Sequence, residues 1–119
     1  MTVQEVIAAY ARLYPGRMQP AEVEMYAPSA LAYVEVVTAR RSDSATGWKL
    51  DRAMQAVCAG INEMAAQDAA KSETGARLAG VSNDGYSESY GTGGADAEGE
   101  AIRNVMRHWL SGTGLVSAL

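Results

Sequence analysis

The feature that most constrains this chain is an apolar stripe between Trp48 and Ala70. Its members recur every three or four residues, which is the spacing of one face of an α-helix. Small residues lie beside the stripe and allow a neighbouring helix to approach closely. We therefore predict a bundle around a long central helix running from Trp48 to about Ala70. The stripe comprises Leu50, Met54, Val57, Cys58, Ile61, Met64 and Ala65, and the small residues are Ala53, Ala56, Ala59 and Gly60.

The N-terminal segment carries clear signals for a first helix. Thr2 followed by Glu5 is a capping-box pattern, in which each side chain satisfies a free backbone N–H of the first turn. Pro15-Gly16 ends the helix, because proline cannot continue it and glycine tolerates the turn. The apolar face of this helix is predicted to comprise Val3, Val6, Ile7, Tyr10 and Leu13 or Tyr14.

A second helical region is predicted from about Pro20 to Thr38, with Pro20 in the first turn, where its missing N–H costs nothing. Pro28 lies inside the pattern, so we expect a kink or two separate pieces there. Residues 41–47 are small, polar and rich in turn formers, which predicts a loop. The buried stripe is predicted to be Ala27, Ala30, Leu31, Val34 and Val37 or Thr38, with Tyr26 and Tyr33 beside it.

The character of the chain changes after Gly75. Asn83-Asp84-Gly85 is a turn signal, and the alternation from Tyr86 to Tyr90 would place both tyrosines on one strand face. These patterns predict a short β-hairpin between about Leu78 and Tyr90. We expect Gly91–Ala95 to form a flexible link.

The last helix is predicted from about Asp96 to Leu110, with Gly112 as its C-terminal glycine stop. Its apolar stripe is Ile102, Val105, Met106 and Trp109. The predicted fold class is therefore mainly α: a four- to five-helix bundle with one short β-hairpin between the third and last long helices. The 119 residues fit one domain, in which we expect about 75–96 to be a flexible hairpin and loop.

The net charge of −4 and the lack of a clear basic face disfavour binding to nucleic-acid phosphates. No apolar run approaches the ~20 residues that a membrane-spanning helix needs. The N-terminus lacks the basic start and apolar stretch of a signal peptide. One cysteine excludes an intramolecular disulfide and fits a reducing compartment. We therefore expect a cytoplasmic protein.

Few residues have side chains that are suited to catalysis or to binding a metal or cofactor. His108 is the one histidine, and a position near a helix end explains it better than general-base catalysis does. Cys58 falls on an apolar stripe, which indicates a buried, inert thiol. Gly91-Thr92-Gly93-Gly94 resembles a phosphate-binding loop, but no Gly-Lys-Ser/Thr follows it and the next charges are acidic. We predict no enzyme activity, no metal and no cofactor.

One charge pattern points to a contact between subunits. From Leu78 to Ile102 the chain has five acids and no Lys or Arg. This segment is either a solvated loop or an acidic arm that meets a basic patch such as Arg40, Arg41 and Lys49 on another subunit. Two different patches that meet head to tail build a ring if the rotation closes. The acids are Asp84, Glu88, Asp96, Glu98 and Glu100.

Several short motifs carry a family resemblance. They are Tyr33 with Thr38-Ala39-Arg40, the helix segment Ala56-Val57-Cys58-Ala59, the segment Val81–Gly91 and the ending Trp109–Leu115. In this order they resemble the head–tail connector, or adaptor, proteins of tailed bacteriophages and prophages. The resemblance extends from about Pro20 to Leu115.

The resemblance implies a virion structural protein that forms a homo-oligomeric ring beneath the phage portal protein. One face of the ring would dock on the portal, and the other would receive a head-completion, stopper or tail protein. It also implies assembly in the host cytoplasm, followed by residence at the head–tail junction of the virion. By this resemblance Tyr86, Glu88 and Tyr90 belong to an intersubunit or portal-facing surface. The last helix with Trp109, and the tail with Leu115, are candidates for another contact.

An alternative function belongs to a different class. A small helical regulatory or scaffolding protein of a phage or mobile element would share this composition, and a DNA-associated factor would need a basic recognition helix. An enzyme would need a convergent polar pocket, which the sequence does not indicate.

Overall fold

The computed structural model describes the backbone of residues 1–78 and 86–116 and the side chains of residues 1–71 and 97–116. The elements are α1 (Val3–Leu13), α2 (Pro20–Thr38), a short 3-10 turn (Arg41–Ser44), α3 (Trp48–Leu78) and α4 (Tyr86–Leu110). The fold is mainly helical, as predicted, and the described residues include no strand. In the same part of the chain, no helix is long and apolar enough to cross a membrane.

The signals at the ends of α1 are confirmed. The Thr2 N–H donates to Glu5 Oε1 at 2.8 Å, and the Glu5 N–H donates to Thr2 Oγ1 at 3.2 Å. Both bonds together make the predicted capping box. Gly16 follows with φ +74°, a conformation that glycine adopts without steric cost.

Helix α2 runs without interruption through Pro28, so the prediction of two separate pieces is wrong. Pro28 removes one backbone N–H, but it lies on the exposed side of the helix. Water can therefore reach the carbonyl of Glu24, which would otherwise accept a hydrogen bond from the backbone N–H at position 28. The helix ends where Ala39 and Arg40 both take left-handed conformations.

The predicted β-hairpin is wrong where the structure describes it. Tyr86–Tyr90 forms the first turns of α4, and the predicted glycine link Gly91–Ala95 also lies within that helix. Tyr86 and Tyr90 are four residues apart, and this spacing suits a helix as well as a strand, so five alternating residues could not separate the two. Helix α4 thus begins ten residues before the predicted Asp96, while the turn signal at 83–85 lies outside the described residues.

The core forms around α3, which contacts α1, α2 and α4. The small residues of α3 are the points of close approach, and Ala53 and Ala56 are completely buried. Gly60 leaves the space that the Met106 side chain of α4 occupies, because a Cβ built at Gly60 would lie 2.5 Å from Cε of Met106. The core comprises Val6, Ala9, Tyr10, Val23, Ala27, Ala30, Val34, Ala53, Ala56, Val57, Cys58, Ile61, Met64, Ile102, Met106, Leu110 and Leu115.

Two buried hydroxyl groups fix the connections at the ends of helices. Thr38 Oγ1 donates to the carbonyl of Val34 at 2.7 Å and accepts from the Ser42 N–H at 3.3 Å, which anchors the 3-10 turn. Thr113 Oγ1 donates to the carbonyl of Leu110 at 2.6 Å and accepts from the Leu115 N–H at 3.1 Å. Gly112, with φ +82°, ends α4 as predicted.

Candidate interaction surfaces

Cations and tryptophans meet where α3 begins and α4 ends. Nζ of Lys49 lies 6.0 Å from the ring centroid of Trp48, and Cζ of Arg52 lies 5.9 Å from that of Trp109. Both distances allow a cation–π attraction. Trp48 is 58% exposed and Trp109 is half-buried. These four residues, Trp48, Lys49, Arg52 and Trp109, are called the basic–aromatic end below.

The predicted basic residues Arg40 and Arg41 lie in the connection that leads toward this end. Both are exposed, and Arg40 Nη2 is 3.7 Å from Glu35 Oε2. Arg41 is the first residue of the 3-10 turn. An exposed ion pair of this kind contributes little to folding, so both guanidinium groups are accessible to a partner.

The predicted contact residue Leu115 lies inside the domain. It is buried and belongs to the core cluster, because the turn that follows α4 folds the tail back onto the helices. Within the monomer Leu115 therefore packs, and it is not available as a surface contact. Its neighbour Val116 packs against the same core.

The acidic segment of α4 is partly neutralised within the chain. Glu98 Oε2 lies 2.8 Å from Nζ of Lys71 on α3, and Glu100 contacts Arg103 at 2.9 Å and Arg107 at 3.4 Å. The hydrogen bond from Arg103 is the main cause that lowers the pKa of Glu100 below its ordinary value. The hydrogen bond to Glu98 likewise raises the pKa of Lys71.

The other residues predicted for this surface, Tyr86, Glu88 and Tyr90, lie in the first turns of α4, and their side chains are outside the described residues. The ion pair between Lys71 and Glu98 shows that α3 and α4 run side by side at this point. Lys71 is 23 residues beyond Trp48, which is about 35 Å along a helix. The acidic segment and the basic–aromatic end therefore lie toward opposite ends of the α3–α4 pair.

A surface that the sequence analysis missed is the outer face of α2. Met25 is 73% exposed and Val36 is 70% exposed. A depression of about 240 Å³ beside Val36 is lined by Ser29, Ala32 and Tyr33. The sequence does contain a signal for this surface, because α2 carries apolar residues on both sides, whereas an ordinary surface helix has a polar outer side.

The two side chains considered for chemistry occupy ordinary structural positions. Cys58 is completely buried, and burial raises its pKa to about 11, which leaves the thiol protonated at neutral pH. His108 is exposed near the end of α4, with its ring centroid 6.2 Å from that of Trp109 in an edge-to-face arrangement.

Two tyrosines link helices through hydrogen bonds. Tyr10 Oη donates to Asn62 Oδ1 at 2.5 Å, and Tyr26 Oη donates to Asp68 Oδ2 at 2.7 Å. Burial raises the pKa of Tyr10, and the hydrogen bond to Asp68 raises that of Tyr26. Both shifts keep the phenols protonated, so these tyrosines hold the bundle together as neutral donors.

Among the described residues, no group of three or more His, Cys, Asp or Glu side chains is placed to hold a metal ion. No protein-family model, curated protein or solved structure matches the chain. The fold and its surfaces therefore define the protein as a small helical bundle with exposed apolar and charged faces.

Proposed function

We propose that this protein is a virion structural protein that forms a ring adaptor between the portal and the tail-completion proteins when a phage head joins its tail. The sequence resemblance supports the phage assignment, and the separation of charge along the α3–α4 pair supports a contact that builds a ring. Trp48, Lys49 and Arg52 lie at one end, and the acidic segment from Glu88 to Glu100 lies toward the other.

This separation favours a head-to-tail contact between copies. A contact between two different patches places every subunit in the same relation to the next, and it closes into a ring when the rotation allows. Opposite charges at the two patches favour contact between unlike patches and disfavour contact between like patches. In the proposed ring, the acidic segment of each copy therefore meets the basic–aromatic end of its neighbour.

The composition of the basic–aromatic end supports a role in protein binding. Tryptophan and arginine dominate the residues that contribute most to protein–protein interfaces. Trp48 supplies a large exposed apolar surface, and the neighbouring cations give it a charge preference. A contact built in this way weakens as ionic strength rises, because salt screens exposed charges.

Light scattering and negative-stain electron microscopy test the proposal over a range of protein concentration, alone and with the portal ring of the same phage or prophage. We expect closed rings or binding to the portal. Reversing the charge with Lys49→Glu should weaken assembly, whereas Arg17→Glu, which changes net charge equally in the connection between α1 and α2, should leave it intact. A strictly monomeric protein that ignores the portal but shifts a DNA duplex would instead indicate the alternative regulatory function.

A second experiment tests the other side of the contact. Replacing both Tyr86 and Tyr90 with Ser should impair assembly more than it lowers the thermal stability of the monomer. Interfaces are enriched in aromatic residues, and their loss removes binding area. If the monomer unfolds, both tyrosines belong to the core, and their assignment to the interface is wrong.

A further inference from the structure

The outer face of α2 has the composition of a buried surface. Six neighbouring positions on this side are exposed and uncharged: Ala21, Met25, Pro28, Ser29, Ala32 and Val36. The opposite side of the same helix packs into the core through Val23, Ala27, Ala30 and Val34. A helix that is apolar on both sides is normally covered on both sides. Within the described chain, only the inner side is covered.

The depression on this face has the geometry of a helix-packing site. Ser29, Ala32, Tyr33 and Val36 stand at positions i, i+3, i+4 and i+7, which are the four corners of the hole that receives one side chain of a facing helix. Because Ser29 and Ala32 are small, the hole is open, with a volume of about 240 Å³. Met25 lies one turn before the hole and extends the apolar surface toward the N-terminus of α2.

Acidic side chains border the face on both edges. Glu24 and Glu35 lie along one edge, and Glu22 and Asp68 lie along the other. Helix α2 itself contains no Lys or Arg. Three cations near the face each have an acidic partner on this chain: Arg40 pairs with Glu35, Lys71 with Glu98 and Arg103 with Glu100.

We propose that the outer face of α2 binds an amphipathic helix of another protein, with its apolar side in the hole and with Lys or Arg along its flanks. Charge complementarity selects this occupant over a second copy of the chain. Packing α2 against α2 in either direction would bring acidic edges to acidic edges, because the helix has no cation to offer. This contact is separate from the proposed ring contact, which uses neither face of α2.

The length of the face limits the area that the contact can bury. Helix α2 has 19 residues and is therefore about 28 Å long. One helix face of this length covers less than the roughly 1,200–2,000 Å² of standard-size specific interfaces. We therefore expect reversible binding, with a dissociation constant on the order of 1–100 µM.

The test uses a synthetic 21-residue helical peptide with Leu at heptad positions a and d and Lys at e and g. A matched peptide carries Glu in place of every Lys. Fluorescence anisotropy should show that the Lys peptide binds the full chain and that the Glu peptide binds at least about tenfold more weakly. Glu24→Lys should weaken the Lys peptide severalfold and strengthen the Glu peptide.

A substitution that fills the hole separates docking from general charge attraction. Ala32→Trp should weaken the Lys peptide at least about tenfold, because the indole occupies the space of the incoming side chain. Ala11→Trp is the control, since Ala11 is also an exposed helix alanine but lies on α1. Circular dichroism should show both variants folded.

Three results would overturn the proposal: no binding of the Lys peptide, equal binding by wild type and Ala32→Trp, or self-association that Ala32→Trp abolishes. The last result would make this face a contact between copies.

Discussion

The two sides of α2 are built from similar residues but have different surroundings. On the inner side, Val34 is completely buried against the other helices. On the outer side, Val36 is 70% exposed beside an open hole. The acids Glu22, Glu24 and Glu35 all stand toward the edges of the outer side. The same residue type therefore lies in the core or on the surface according to the side of the helix that it occupies.

A filled position on α3 contrasts with the open depression on α2. Gly60 on α3 leaves a gap that Met106 of α4 fills, and a Cβ at Gly60 would lie 2.5 Å from its Cε. Ser29 and Ala32 on α2 border an open surface depression that no described residue fills. Small residues on a helix thus predict close approach by a partner, but they do not tell whether that partner belongs to the same chain.

The largest predicted effect separates the two valines of α2. Val34→Asp should unfold the domain or cost about 4 kcal/mol or more, because it buries an unpaired carboxylate in the core. Val36→Asp should change the free energy of unfolding by no more than about 0.5 kcal/mol, since the side chain is exposed. Urea denaturation measures both. Equal losses would show that the outer side is covered within the folded chain.

The next effect compares the filled gap with the open one. Gly60→Leu should cost about 1–3 kcal/mol, because Met106 must leave its place in the core. Ala32→Leu should cost less than about 0.5 kcal/mol, because the hole has room for the larger side chain. Thermal denaturation followed by circular dichroism ranks the two. The reverse order would contradict the packing described for α3 and α4.

A chemical probe gives a smaller but independent distinction. Cys58 has its pKa raised to about 11 by burial, so little thiolate exists at pH 8. In Ser29→Cys, the new thiol on the outer face should react with a disulfide reagent about a hundredfold faster or more than Cys58 does. Denaturation should make the two react at similar rates. Rapid labelling of Cys58 in the native protein would show that the core opens readily.

The smallest effect concerns an exposed ion-pair cluster. The pKa of Glu100 is lowered from its ordinary value of 4.5, mainly by the hydrogen bond from Arg103. The pair therefore contributes fully above about pH 4.5 and is lost as pH falls through the lowered folded-state pKa. A small stability difference between wild type and Glu100→Gln should vanish over that range. A difference that persists at lower pH would show that Glu100 acts by packing.

The sequence predicted the helices that carry strong periodicity and end signals. The capping box at Thr2 and the glycine after α4 work through local hydrogen bonds and backbone geometry, so they can be read without the fold. The hairpin prediction was wrong at Tyr86–Tyr90 because five residues whose tyrosines are four apart satisfy both periodicities. The burial of Leu115 was also missed, because it depends on the chain turning back after Gly112.

The interaction surfaces were less predictable than the helices. The cation–π contacts pair Lys49 with an adjacent residue, but they also pair Arg52 with Trp109, which is 57 positions away. Sequence patterns find residues that share a face of one helix, and they do not reveal which helices bring distant side chains together. The outer face of α2 was missed because its apolar residues resemble those of the core.

The central claim is that this chain assembles with other subunits, and the mass of its complex with the portal ring tests it most directly. Native mass spectrometry should show the portal ring carrying a defined number of copies, each adding 12.5 kDa. Lys49→Glu should reduce that number, and Arg17→Glu should not. If the portal ring keeps its own mass at every concentration and the chain stays monomeric, the account of an assembly adaptor is contradicted.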